Sequence, residues 1–111
     1  MESILTSIKL LLGMTEDYTH YDNQIIMHIN SVFQVLRRLG VGPAEGFRIE
    51  DDSATWNDFI QDENYEDLKT YVYLKVQLIF NPPDSSAHME SMKQLINEFE
   101  FQLNLRADSS E

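Results

Sequence analysis

Three histidines, 19 carboxylates and a glycine-rich stretch are the residues here whose types could do chemistry. The histidines His20, His28 and His88 stand far apart, and none forms the Glu-x-x-His pair of a di-iron bundle or a His-Glu-x-x-His zinc signature. Asp17 and His20 are three residues apart in a segment that reads as a loop, and His28 sits between Met27 and Ile29 in a helical pattern. Metal binding is therefore not expected at either. The stretch Gly40-Val41-Gly42-Pro43-Ala44-Glu45-Gly46 lacks the Gly-Lys-Ser/Thr of a phosphate loop and follows a helix rather than a strand. A helix cap followed by a turn accounts for its glycines. The acidic run fails as a calcium loop, because counting from Asp51 the sixth position is Trp56, where such a loop needs glycine. No Gly-x-Ser-x-Gly elbow is present. The carboxylate pairs Asp62/Glu63 and Glu66/Asp67 suit the start of a helix, where acids favour the dipole. No catalytic constellation, cofactor or metal site is expected.

Charge placement is the stronger signal. Between positions 50 and 67 lie Glu50, Asp51, Asp52, Asp58, Asp62, Glu63, Glu66 and Asp67, with no Lys or Arg. Three readings fit: a solvated acidic surface, a face for a basic partner, or an acidic wall that lets nucleic acid pass without sticking. Trp56 and Phe59, beside these acids, are core under the first reading and interface anchors under the second.

The elements that would position these residues are helical. Ile4, Leu5, Ile8, Leu11 and Leu12 recur at helical spacing, and Gly13 is placed to end that helix in a left-handed cap. A second helix reads from an N-cap at Asp22 through Ile25, Ile26, Ile29, Val32, Phe33, Leu36 and Leu39. Arg37 and Arg38 sit at its negative end, and Gly40 closes it. A third runs from about Tyr65 to Phe80, with Leu68, Tyr71, Val72, Lys75, Val76 and Ile79 on one side and the Lys75 ammonium reaching to water. The β-branched and aromatic string Tyr71–Val76 suits a strand as well, but its length and spacing favour helix. Asn81-Pro82-Pro83 stops it. Asp84-Ser85-Ser86 offers caps for a fourth helix, striped by Met89, Met92, Ile96, Phe99 and Leu103, and a frayed polar tail is expected over 106–111. The long connection between the second and third helices, 41–64, holds the extended candidate Phe47-Arg48-Ile49. It also holds a short helix from Thr55, whose hydroxyl can cap the N–H of Asp58. The fold expected is all-α: four main helices with a long irregular connection, in one domain.

Composition agrees. A chain of 111 residues, 42% hydrophobic and 11% aromatic, is the size of one domain that buries roughly two-thirds of its unfolded surface. A net charge of -11 argues against gripping phosphates through a broad basic face, and the absence of cysteine excludes disulfides and thiolate sites and fits a reducing compartment. The apolar opening at 4–12 is far short of the ~20 residues of a membrane helix, is interrupted by Lys9, and has no signal-peptide features.

Particular strings go further than composition. Ile4-Leu5-x-x-Ile8-Lys9-x-Leu11-Leu12-Gly13 is followed by Asp22-Asn23-Gln24-Ile25-Ile26-Met27-His28-Ile29-Asn30-Ser31-Val32-Phe33. Then come Leu39-Gly40-Val41-Gly42-Pro43 with Gly46-Phe47, Thr55-Trp56, Tyr71-Val72-Tyr73-Leu74-Lys75 and Phe80-Asn81-Pro82-Pro83. In order and spacing, from Ile4 to about Leu103, these resemble the small head–tail connector (head-completion, DNA-packaging adaptor) proteins of tailed bacteriophages and prophages. Asn81 departs from the acidic residue often found before the double proline, which touches only helix termination.

The resemblance implies a structural virion protein rather than an enzyme, without cofactor, metal or membrane. Its partners would be other copies of itself, the portal protein and a tail or stopper protein, with transient, non-specific passage of DNA. It would stand at the head–tail junction as a closed ring of about twelve subunits, each meeting its neighbours through two different patches, and in the host cytoplasm during assembly or as a prophage product. On this reading Phe47, Ile49, Trp56 and Phe59 are candidate subunit or portal contacts. Glu50, Asp51, Asp52, Asp58, Asp62 and Glu63 are candidates for lining the DNA channel. Two rivals stay open: an acidic adaptor or DNA mimic acting as a monomer or dimer, and a helical-bundle enzyme with a metal or carboxylate site.

Overall fold

The computed structural model describes residues 2–60 and 65–109, with side chains as far as 105. Five helices follow in order: α1 (Ile4–Leu11), α2 (Asp22–Arg38), α3 (Trp56–Phe59), α4 (Glu66–Phe80) and α5 (Ser86–Ser109). Among the described residues there is no strand, only an isolated antiparallel bridge between Ser3 and Thr55. The all-α expectation holds.

Local chemistry sets most of the boundaries. The Ser3 hydroxyl accepts the Thr6 N–H at 3.2 Å and opens α1. Gly13, at φ +91°, takes the left-handed turn after it, and Gly40, at φ +85°, does the same after α2. The Ser85 hydroxyl accepts the His88 N–H at 3.2 Å at the start of α5. Asn81, placed before proline, leaves the helical region at φ -149° and ends α4.

α4 is the central helix, packing against α1, α2 and α5. The core they share includes Ile4 and Ile8 from α1, Ile25, Ile29, Phe33 and Leu36 from α2, and Tyr71, Val72 and Val76 from α4. Met92, Ile96 and Leu103 close it from α5, and Trp56 and Ile49 fill it from the irregular segment.

Several expectations are corrected. Asp22 is not the N-cap of α2: Tyr21 holds that position without a side-chain cap bond. The Asp22 carboxylate instead lies 2.9 Å from the Lys9 ammonium. Lys9 is buried on α1 and also donates to the Glu16 carbonyl at 3.0 Å, so the demand for a counter-charge outweighs capping. Lys75 is half-buried rather than free in solvent, with its ammonium 3.6 Å from Glu100 of α5. Glu100 also accepts the Tyr71 hydroxyl at 2.6 Å. Ile79, at the end of α4, is exposed, whereas Leu74 is buried, since α4 packs on several sides. Leu11 is exposed too. Phe47-Arg48-Ile49 forms no strand. Finally α5 runs on to Ser109, past the expected start of the polar tail, with no Gly or Pro in between to stop it.

Candidate functional site

The irregular segment between α2 and α3 is fastened at several points. Asn30 on α2 acts in place of a neighbouring strand: its Oδ1 accepts the Ile49 N–H at 2.8 Å and its Nδ2 donates to the Ile49 carbonyl at 3.0 Å. Phe33, Phe47 and Phe59 form a three-ring cluster with centroids 4.6 to 5.4 Å apart. Gly42 allows the chain to pass over that cluster. It sits at φ +90°, and a Cβ there would come within 2.5 Å of the Phe59 ring. The Arg37 Nε donates to the Ala44 carbonyl at 3.0 Å and holds the outer turn.

The far end of the segment is tied to the N-terminal residues. The Ile4 N–H donates to the Ala54 carbonyl at 3.0 Å, and the Trp56 N–H donates to the Glu2 carbonyl at 3.2 Å. α3 is only four residues long, yet a reciprocal capping box between Thr55 and Asp58 closes its start, as the Thr55 reading expects. Trp56 is fully buried, and its indole N–H donates to the Ser7 hydroxyl at 2.9 Å. Glu2 then reaches α4, where its carboxylate accepts from the Tyr65 hydroxyl and from Lys69, both at 3.2 Å.

This geometry places the candidate contact residues plainly. Ile49, Trp56 and Phe59 are buried in the core and Phe47 is half-buried against it. Their apolar surface is used in fastening the segment. The acids stand apart from them: Glu50, Asp51, Asp52 and Asp58 are exposed. Asp62 and Glu63 lie outside the described residues. Two of the exposed acids have local work. The Asp51 carboxylate accepts the Ser53 hydroxyl at 2.5 Å and the Ser53 N–H at 2.9 Å, and these two bonds hold its pKa below the ordinary value. The Asp58 carboxylate accepts the Thr55 N–H at 2.9 Å.

Among the described residues no group of three or more His, Asp or Glu could hold a metal ion, and no helix is long and apolar enough to cross a membrane. His20 packs edge-on against Tyr21 with centroids 4.6 Å apart, and His28 lies near Phe80.

Sequence reasoning missed a second class of surface residues. Phe101 is 66% exposed and Leu105 51% exposed on α5, with Leu95 beside them. Met27 is 59% exposed on α2. The signal was available, because Phe101 and Leu105 fall off the Met92–Ile96–Phe99–Leu103 stripe and cannot share its buried face. A cleft of about 230 Å³ on α5 is lined by Asp67, Leu95, Glu98, Phe99, Gln102 and Leu103. A broader groove of about 430 Å³ runs along α2, where Met27, Gln34 and Arg48 meet.

In comparison with known proteins, a family model described as phage connector protein matches residues 4–110. No curated protein matches the chain. No solved structure matches it either.

Proposed function

The chain belongs to the phage connector protein family, a structural and non-enzymatic family of phage particles, and from that premise we propose that it assembles as a ring under the portal. There it joins the capsid to the tail or stopper protein and forms part of the channel that DNA crosses. The observation that carries this reading is the family match over nearly the whole chain together with the build of the 41–60 segment. That segment is locked to α2 and to the N-terminal residues by buried aromatics, and it holds Glu50, Asp51 and Asp52 out in solvent. A fixed acidic surface is what a channel needs if DNA is to slide without being gripped, since phosphates are repelled rather than paired.

Light scattering behind size exclusion, on the chain alone and mixed with its cognate portal, tests the assembly. A high-order ring or co-elution with the portal supports the reading. A monomer that ignores the portal overturns it and brings the adaptor or DNA mimic forward. Charge reversal tests the channel. Asp51→Lys with Asp52→Lys should raise retention on DNA at low salt, and Glu50→Lys with Asp52→Lys is the cleaner pair because it spares the Asp51–Ser53 bonds. Unchanged retention in both would remove these acids from any channel that DNA meets.

A further inference from the structure

The outward faces of α2 and α5 carry opposite chemistry around similar apolar centres. On α2, Asn23, Met27, Ser31, Gln34 and Arg38 lie opposite the buried stripe, with Met27 more than half exposed. Arg37 flanks this face, and Arg48 lines the same groove as Met27 and Gln34. Arg37, Arg38 and Arg48 are three of the chain's eight basic residues, and all three are exposed. Although the chain carries 19 acids, none of the three has a carboxylate partner among the described residues, whereas Lys9, Lys69 and Lys75 each do. Three exposed arginines without a carboxylate partner, two of them adjacent on α2 and the third lining its groove, present a cationic patch to something outside the chain.

α5 offers the counterpart. Glu90, Gln94, Asn97, Glu98, Phe101 and Leu105 face away from its buried stripe, with Phe101 two-thirds exposed and Lys93 at the margin. Exposed aromatics ringed by polar and charged groups are the make-up of a protein contact, and arginine is enriched on the opposing side of such contacts. α4 packs against both helices, and the two outward faces are built from different residues of the same unit.

We propose that the α2 face of one copy receives the α5 face of the next. Met27 meets Phe101 and Leu105, and Arg38 and Arg48 meet Glu90 and Glu98. A contact between two unlike patches is heterologous, and it repeats around a ring when the rotation closes. This inference rests on the ring reading and names the surfaces through which the ring would form.

The absence of cysteine makes the test clean. Gln34→Cys on one chain and Asn97→Cys on another, both exposed positions, are mixed and treated with a short bis-maleimide, alone and with the portal. The expected result is a mixed dimer from the two single variants and a ladder of multiples from a chain carrying both. Arg38→Glu with Arg48→Glu should lower cross-linking by about tenfold at low salt, and adding Glu90→Arg with Glu98→Arg should restore it to within about twofold. Circular dichroism melts confirm that each variant is folded. Cross-links only between like positions, yields indifferent to charge reversal, or no ladder with or without the portal would each overturn the proposal. A chain that co-elutes with the portal but gives no ladder loses this inference and keeps the connector reading. A ladder without portal binding keeps the ring and this contact and removes only the portal as partner.

Discussion

Asn30 offers the sharpest test of how the irregular segment is held. Its amide satisfies both backbone groups of Ile49, a residue only 1% exposed, across 19 positions of sequence. Asn30→Ala leaves a buried N–H and a buried carbonyl without partners. At about 1–3 kcal/mol for each, reduced by the water that reaches this half-buried position, the loss should be about 2–4 kcal/mol. For a domain of this size that is a fall in Tm of about 8–15 °C. Asn30→Asp separates the two bonds. A carboxylate still accepts the N–H, but it sets its second oxygen against the Ile49 carbonyl, 3.0 Å from where the amide nitrogen stood. Protonating that carboxyl restores a donor, so its folded-state pKa must lie above the unfolded value near ~3.9. Its stability contribution is therefore fully present below about pH 3.9 and lost as pH rises through the folded pKa. Thermal melts of wild type, Asn30→Ala and Asn30→Asp from acid to neutral pH should show the Asp variant closing on wild type as pH falls, while the Ala variant keeps a constant offset. An alanine loss under about 0.5 kcal/mol, or an Asp offset that ignores pH, would refute the reasoning.

The remaining expectations follow the same logic. Gly42→Ala should cost more than Gly13→Ala: both sit near φ +90°, but only at Gly42 would the methyl meet Phe59, so about 1 kcal/mol at Gly13 compares with about 2–4 at Gly42 in urea unfolding. Trp56→Phe keeps most of the buried ring and loses the 2.9 Å bond to Ser7, for about 1–3 kcal/mol, and Ser7→Ala in the same background should cost far less than it does alone. Burial first, then the hydrogen bond and charge of Glu100, raise the Tyr71 hydroxyl pKa well above its ordinary value. Its contribution is intact below about pH 10 and lost as pH rises beyond that. Phenolate absorbance should thus show Tyr71 ionising only with alkaline unfolding, and Tyr71→Phe should remove that late step; a Tyr71 that titrates in the folded chain would disprove the arrangement.

What was legible in the sequence was whatever depends on neighbours along the chain. The stripes of α1, α2 and α5, the caps at Gly13, Gly40 and Thr55, and the stop at Asn81 are local patterns with local causes. What failed was what depends on residues brought together from afar. Asp22 reads as a cap until Lys9 is found buried beside it, and nothing along the chain pairs Lys75 with Glu100. The same applies to the candidate contacts. Trp56 and Phe59 stand beside acids in sequence, which leaves core and interface both open, and only Ser7 and Phe33, arriving from other helices, show them enclosed. The acids Glu50, Asp51 and Asp52 were read as exposed and are exposed, because nothing distant competes for them. Phe101 was overlooked because it breaks the stripe that defined α5.

The ties of the N-terminal residues carry a consequence for the order in which the chain becomes native. Ser7 waits for Trp56, 49 positions later, and Glu2 waits for Tyr65 and Lys69, 63 and 67 positions later. During synthesis at about 5–20 residues per second, Ser7 therefore spends about 3–10 seconds without Trp56, although α2 is available to α1 sooner. An eight-residue helix does not persist alone in water, so until then α1 depends on α2 for cover and its side toward Trp56 and α4 stays open. Trp56 is the chain's single tryptophan and is buried at the point where the loop closes. Its fluorescence in refolding should accordingly lag behind the helical signal, since a closure across 49 positions is slower than forming local helix.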